Sequence, residues 1–203
     1  NVCSKEPIVR RYDHEVQGSS AMTPYAGVNG DAPNNSAVMT PILGKPYAII
    51  QAHGCNPRLT ELDPSRGSTW SYVEAMSNYV AVGGNPDDAV IVNNYISATP
   101  TDRVMGALDM SVDALTTCVA EFESPIISGK DSLSSTYKNP DGTLIESPYN
   151  LIVTVAGKIP DVEKTVSTDI KKPGSTLVLI GQQDLESFGG SVYYDNFDGD
   201  SAH

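Results

Sequence analysis

Gly67, Ser71, Glu74, Asn78 and Ala81 recur at spacings of four, three, four and three, so a helix through them would stack all five on one face. A solvated helix face normally carries long charged side chains. This one is small apart from one carboxylate and one amide, which predicts the close approach of another surface. Glu74 and Asn78 are then oxygen ligands for Mg²⁺ on a nucleotide. The same spacing also fits a small-residue packing face with an incidental polar pair. A second constellation, Gly129-Lys130-Asp131-Ser132, offers backbone N–H groups, an ammonium, a carboxylate and a hydroxyl, the inventory for a phosphate and its metal. It lacks the GxxxxGK[ST] spacing of a Walker A loop, and an ordinary polar turn reads the same way. Asn93-Asn94 closes the preceding strand and lies beside this run if the two strands are neighbours.

Other candidates carry less. His53 and Cys55 share one turn, but no third group is there to orient a base and a thiol nucleophile. Asp63 and Arg66 either grip a ligand or pair with each other. Gly189-Gly190-Ser191 permits a close approach to phosphate or is a plain loop. His14 sits in a charged segment and His203 is terminal, and neither points to a site. Cys3, Cys55 and Cys118 are odd in number, far apart and in no CxxC or Cys/His cluster, which argues against a disulfide framework or zinc.

The elements that must position these residues are read from periodicity and punctuation. Residues 46–52 read as a strand running into a turn-rich segment, 53–68, whose Gly54, Pro57, Pro64 and Gly67 are expected to forbid regular structure. Ser68 or Thr69 then caps a helix to about Val82, stopped by Gly83-Gly84 and Pro86. A short strand follows at 89–92. Pro100-Thr101-Asp102 opens a second helix with an apolar stripe of Leu108, Val112, Leu115, Val119 and Phe122. Ile126-Ile127 makes a brief strand with the Gly129–Ser132 run at its end. Asn139-Pro140-Asp141-Gly142 is a turn, and 151–156 a β-branched strand. The order is α/β or α+β, with two helices covering one face of a mixed sheet. The character changes after Pro160. Residues 1–160 read as one domain, and 161–203 as a charged connector with the first strand, 176–180, of a second, incomplete α/β domain.

The 203 residues carry 25 acidic against 13 basic side chains, a net charge of −12, so nonspecific binding to nucleic acid or acidic membranes would oppose the overall field. The longest apolar runs are strand-sized, well short of the ~20 residues of a spanning helix. Residues 1–6 lack the basic patch and apolar run of a signal peptide, and a cytoplasmic location is expected.

Six segments, taken in order, resemble the phosphoribosylformylglycinamidine synthase family of purine biosynthesis. They are RRYDHEVQG (10–18), CNPRLTELDPSRGS (55–68), VEAMSNYVAVGGNP (73–86), SGKDSLS (128–134), SPYNLIVTVAGKIPDVEKTV (147–166) and FGGS (188–191). The family is built from two tandem pairs of A and B domains related to aminoimidazole ribonucleotide synthetase. This chain resembles the second A domain with the start of the second B domain. The resemblance implies a fragment of an ATP-dependent C–N ligase. That enzyme converts formylglycinamide ribonucleotide and ammonia, drawn from glutamine, to the amidine, ADP and phosphate. It further implies ATP and Mg²⁺ as cofactors, a glutaminase domain or subunit as ammonia source, and a partner A domain in the same polypeptide or a homodimer of the fragment. By the same resemblance Glu74 and Asn78 hold Mg²⁺, Asn93, Gly129 and Lys130 contact ATP, and Ser132 contacts substrate. None of these is a catalytic residue. Lys130 stands where small family members have Asn, which favours a phosphate contact over a metal ligand. Gly54-Cys55-Asn56-Pro57 aligns with a His-Asn-His-Pro run of the first A domain, so those histidines are missing here. Two other readings follow: a degenerate half holding a structural nucleotide, or another ATP-using member of the superfamily.

Overall fold

The computed structural model describes residues 3–11, 18–182, 184, 187–188 and 191–197. In order these form α1 (Glu6–Val9), β1 (Ser20–Met22), β2 (Tyr25–Ala26), β3 (Ala32–Pro33), β4 (Ser36–Met39), β5 (Ala48–Gly54), α2 (Pro57–Leu62) and α3 (Pro64–Ala81). There follow β6 (Val90–Ile96), α4 (Asp102–Glu121), β7 (Ile126–Ser132), β8 (Thr136–Lys138), β9 (Leu144–Glu146), β10 (Asn150–Ile159) and α5 (Val192–Phe197). His14, His203 and Gly189-Gly190 lie outside the described residues.

β1, β4, β5, β10, β6 and β7 form one mixed sheet in that order, antiparallel throughout except for the parallel pair β6–β7. The expected mixed α/β architecture is the one formed. α3 lies across β5 and β10 and packs against α4, both helices on the same face. The core sits between these layers: Tyr72, Ala75 and Tyr79 of α3 and Leu115 of α4 close over Ile50, Ile91, Val153 and Val155, all at most 1% exposed. The opposite face, with Ile49, Val92, Ile96 and Ile152, is only half-buried, and among the described residues no helix packs across it.

Several expectations are corrected. The segment 53–68 is helical in two pieces, and α3 begins at Pro64 rather than near Thr69. Asn56 caps α2, its side chain accepting from the Leu59 N–H, and Asp63 caps α3 by accepting from the Arg66 N–H. Pro57 and Pro64 each fall in the first turn, where a missing N–H costs nothing and the fixed φ favours the helix. The prolines that read as breakers are starters. Gly67 is needed where α3 meets α2, because a Cβ there would lie 2.3 Å from Thr60 Cα. β6 runs on through Asn93 and Asn94 to Ile96, and the Gly129–Ser132 run lies inside β7 rather than after it. On α4 the buried seam is Ser111, Leu115 and Cys118, flanked by Leu108 and Val119, while Val112 and Phe122 face outward. The Phe122 ring still rests on Tyr72, centroids 5.6 Å apart.

After β10 the connector folds back onto the first 160 residues: the Val166 N–H donates to the Val82 carbonyl, and the Thr168 hydroxyl to that of Pro33. Thr176–Ile180 forms no strand, and its Leu177–Ile180 side chains are exposed. A strand needs a hydrogen-bonded neighbour, and no described segment supplies one there.

Candidate functional site

The small face of α3 packs on its own chain. A Cβ on Gly54 would lie 2.0 Å from the Ser71 carbonyl oxygen, so helix and strand backbones touch there. The surface expected to approach this stripe is β5 together with α2. Glu74 and Asn78 hold the same contact: Glu74 Oε2 accepts from the Cys55 N–H at 2.8 Å, and Asn78 Nδ2 donates to the His53 carbonyl at 3.1 Å. Asn35 Nδ2 approaches Asn78 Oδ1 at 3.5 Å, and a cavity of about 310 Å³ opens beside it, lined also by Asn34, Ser36 and Thr168. Both side chains are half-buried. Asp63 and Arg66 pair with each other at 3.4 Å, a capping arrangement rather than a ligand grip.

β6 and β7 are neighbours, as the Asn93-Asn94 reading required, and their parallel register sets Asn93 opposite Gly129 and Asn94 opposite Lys130. Strand alternation then splits the group between the two faces. Asn93 shares the helix face with Ile91 and Tyr95, and its amide lies over Gly129, where a Cβ would come within 2.4 Å of Asn93 Oδ1. Gly129 is glycine because the Asn93 amide occupies the space a side chain would take. Asn94, Lys130 and Ser132 share the open face. Lys130 Nζ donates to Ser132 Oγ at 2.6 Å, and Asn94 Oδ1 is buried with no hydrogen-bond partner among the described residues. Tyr95, opposite Asp131, is held protonated chiefly by burial and further by Tyr149 and the Asp131 carboxylate.

The candidates therefore fall in three places: Glu74 and Asn78 against the end of β5, Asn93 and Gly129 on the helix face, and Lys130 and Ser132 on the open face. Three strand spacings, about 14 Å, separate β5 from β7. β5, β6 and β7 all end at one edge of the sheet, so the groups share a rim. His53 and Cys55 form no dyad: the imidazole Nδ1 is 2.8 Å from Thr154 Oγ1, and the Cys55 thiol accepts from Asn150 Nδ2 at 3.3 Å. Among the described residues no three His, Cys, Asp or Glu side chains gather as a metal cluster. A larger cavity, about 770 Å³, lies beside α4 between Ser97, Arg103, Glu146 and Tyr149, and none of the sequence candidates lines it.

No protein-family model matches the chain. The phosphoribosylformylglycinamidine synthase subunit PurL of Picrophilus torridus is 29% identical to it over 194 residues, covering 95% of this chain and 25% of that protein. PurL of Alkaliphilus metalliredigens is 32% identical over 193 residues, 95% of this chain and 24% of its own length. The chain is a relative of PurL. It spans about a quarter of the length of the curated relatives it matches, and the resemblance carried by the six segments is borne out. The fold agrees. In the structure of PurLQS from Thermotoga maritima the matching chain superposes with a TM-score of 0.64 at 22% identity, over 82% of this chain and 25% of that one. T. maritima PurL complexed with FGAR gives 0.60 at 21% identity, over 81% and 24%. The same PurL complexed with ADP gives 0.61 at 23%, over 82% and 25%. Among the described residues no helix is long and apolar enough to cross a membrane.

Proposed function

We propose that this chain is the second A domain, residues 1–160, with the opening of the second B domain, residues 161–203, of a cytoplasmic ATP-dependent C–N ligase of purine synthesis. The enzyme converts formylglycinamide ribonucleotide (FGAR) and ammonia from glutamine to formylglycinamidine ribonucleotide, ADP and phosphate. The observation that carries the reading is the polar group at the β6–β7 end of the open sheet face, Lys130 bonded to Ser132 with Asn94 beside them. A mobile ammonium and a hydroxyl at a strand end bind phosphate oxygens, and the helix-free face leaves room for a partner A domain over them. Complexes of T. maritima PurL with FGAR and with ADP support the ligand classes.

Glu74 and Asn78 fit Mg²⁺ only in the company of a nucleotide. Mg²⁺ is commonly held by one or two protein oxygens with phosphate oxygens and water completing the shell, and Glu74 keeps one carboxylate oxygen clear of the Cys55 N–H. The ion would neutralise phosphate charge. The distance of these two from Lys130 favours a second nucleotide for them over the Lys130–Ser132 group. Their bonds to the Cys55 N–H and the His53 carbonyl favour one alternative, a half whose nucleotide is structural.

A substrate panel with the intact polypeptide tests the reading. Phosphate release should require FGAR and ammonia together. Release with thiamine phosphate or selenide instead would move the protein to another branch of the superfamily.

A further inference from the structure

The cavity of about 770 Å³ beside α4 takes no part in the function proposed above, and its volume lies in the range of small-molecule sites. Its walls come from separate elements: the start of α3 at Pro64, the first turns of α4, and the residues leading from β9 into β10. Arg103, Gly106, Ala107 and Met110 line it from one face of α4, at spacings of three, one and three. Gly106 is the residue there that the fold does not account for. Glycine inside a 20-residue helix is destabilising relative to alanine. Close packing is not the reason for it, because an added Cβ would meet nothing within 4 Å. The missing side chain leaves bare helix surface beside Ala107, on which a planar group can lie.

The charges on the walls are a second, independent observation. Glu61 pairs with Arg58 at 3.4 Å, and Asp102 opens α4, where a carboxylate suits the helix dipole. Arg103 on α4 and Glu146 at the end of β9 are exposed, and among the described residues no ion pair holds either of them, although both border the same cavity. A guanidinium and a carboxylate on different walls, with Pro64, Met110 and Tyr149 also lining the space, suit a molecule that carries a carboxylate, an ammonium and a large apolar group.

We propose that this cavity binds a free α-amino acid with an aromatic side chain. Arg103 takes the carboxylate through its guanidinium fork, Glu146 takes the ammonium, and the ring lies over Gly106 and Ala107 against Met110 and Tyr149. Glu74, Asn78, Lys130 and Ser132 do not line the cavity, so the inference stands apart from the assignment of FGAR and nucleotide.

The test is calorimetric titration of the intact polypeptide with L-phenylalanine and with two analogues that each lack one charge: phenethylamine, without the carboxylate, and 3-phenylpropionate, without the ammonium. Wild type should bind phenylalanine about tenfold or more tighter than either analogue. Arg103→Gln should weaken phenylalanine about tenfold or more and not phenethylamine, and Glu146→Gln should weaken phenylalanine equally and not 3-phenylpropionate. Gly106→Leu fills the floor with a good helix former, and should melt no lower than wild type while losing phenylalanine. If that variant loses cooperative unfolding, the two exposed charge variants decide. Wild type that does not bind phenylalanine, that binds all three compounds equally, or that keeps its phenylalanine affinity in both charge variants overturns the inference. Failure of the FGAR-dependent reaction changes none of these outcomes.

Discussion

Replacing Gly54 with alanine tests the contact on which the α3 candidates depend. The added Cβ would meet the Ser71 carbonyl oxygen at 2.0 Å and the Ala75 nitrogen at 2.6 Å, both backbone atoms that no rotamer change can move. Relief to an ordinary 3.4 Å contact takes 1.4 Å of separation between α3 and β5. That shift would loosen Tyr72, Ala75 and Tyr79 from the core and stretch the Glu74–Cys55 and Asn78–His53 hydrogen bonds. Overpacking a tight core costs typically 1–3 kcal/mol, and a backbone clash puts this change at about 3 kcal/mol. At about 2–4 °C per kcal/mol for a domain of this size, thermal unfolding followed by circular dichroism should drop by about 6–12 °C. Gly106→Ala is the internal control. Gly106 lies within α4 with nothing within 4 Å of its added Cβ, so that substitution should stabilise by about 0.5–1 kcal/mol. A Gly54→Ala variant melting within a degree or so of wild type would refute the close packing and, with it, the placement of Glu74 and Asn78 against the end of β5.

Glu74→Ala removes one charge-assisted contact and should weaken nucleotide binding by the intact polypeptide by about 1.5–3 kcal/mol in calorimetry; unchanged affinity would confine Glu74 to holding the Cys55 N–H. Gly129→Ala should displace the Asn93 amide, 2.4 Å from the added Cβ, and weaken nucleotide binding at a smaller loss of melting temperature than Gly54→Ala, because a side chain rather than a backbone must yield. The thiols should separate by burial. Cys3 and Cys55 are exposed and react with a thiol reagent in the native protein, whereas Cys118 is buried, its thiol pushed up chiefly by desolvation, and reacts only on unfolding. Titration of all three thiols without denaturant would contradict the placement of Cys118 in the α3–α4 interface.

The parts of the fold legible in the sequence are those with long, one-sided periodicity. β10 announces itself by Leu151, Val153 and Val155, and α4 by its Thr101 cap and apolar spacing. The start of α3 was hidden because Pro64 and Gly67 are breakers in a helix interior but favourable at a first turn and at a helix crossing. Only the capping hydrogen bonds of Asn56 and Asp63 tell these cases apart. β1 to β4, β8 and β9 have two to four residues each, too few for an alternation to stand out. At the candidate site, residue types were enough to bring Asn93-Asn94 and the Gly129–Ser132 run together, but not to divide them between faces. That division follows from the β6–β7 register, which shifts between Ile91 and Val92 and is invisible in either strand alone. The unpaired oxygen of Asn94 is likewise a property of the assembled sheet.

The central claim is that the open-face group of Lys130 and Ser132 serves an FGAR-dependent ligase. The most direct measurement is phosphate release by the intact polypeptide, supplied with FGAR and ammonia, comparing wild type with Lys130→Ala at matched folding. The account predicts a signal in wild type that requires both substrates and is lost in the variant. A signal that survives in Lys130→Ala would contradict the placement of this domain in the active site, and no substrate-dependent signal in wild type would contradict the ligase function itself.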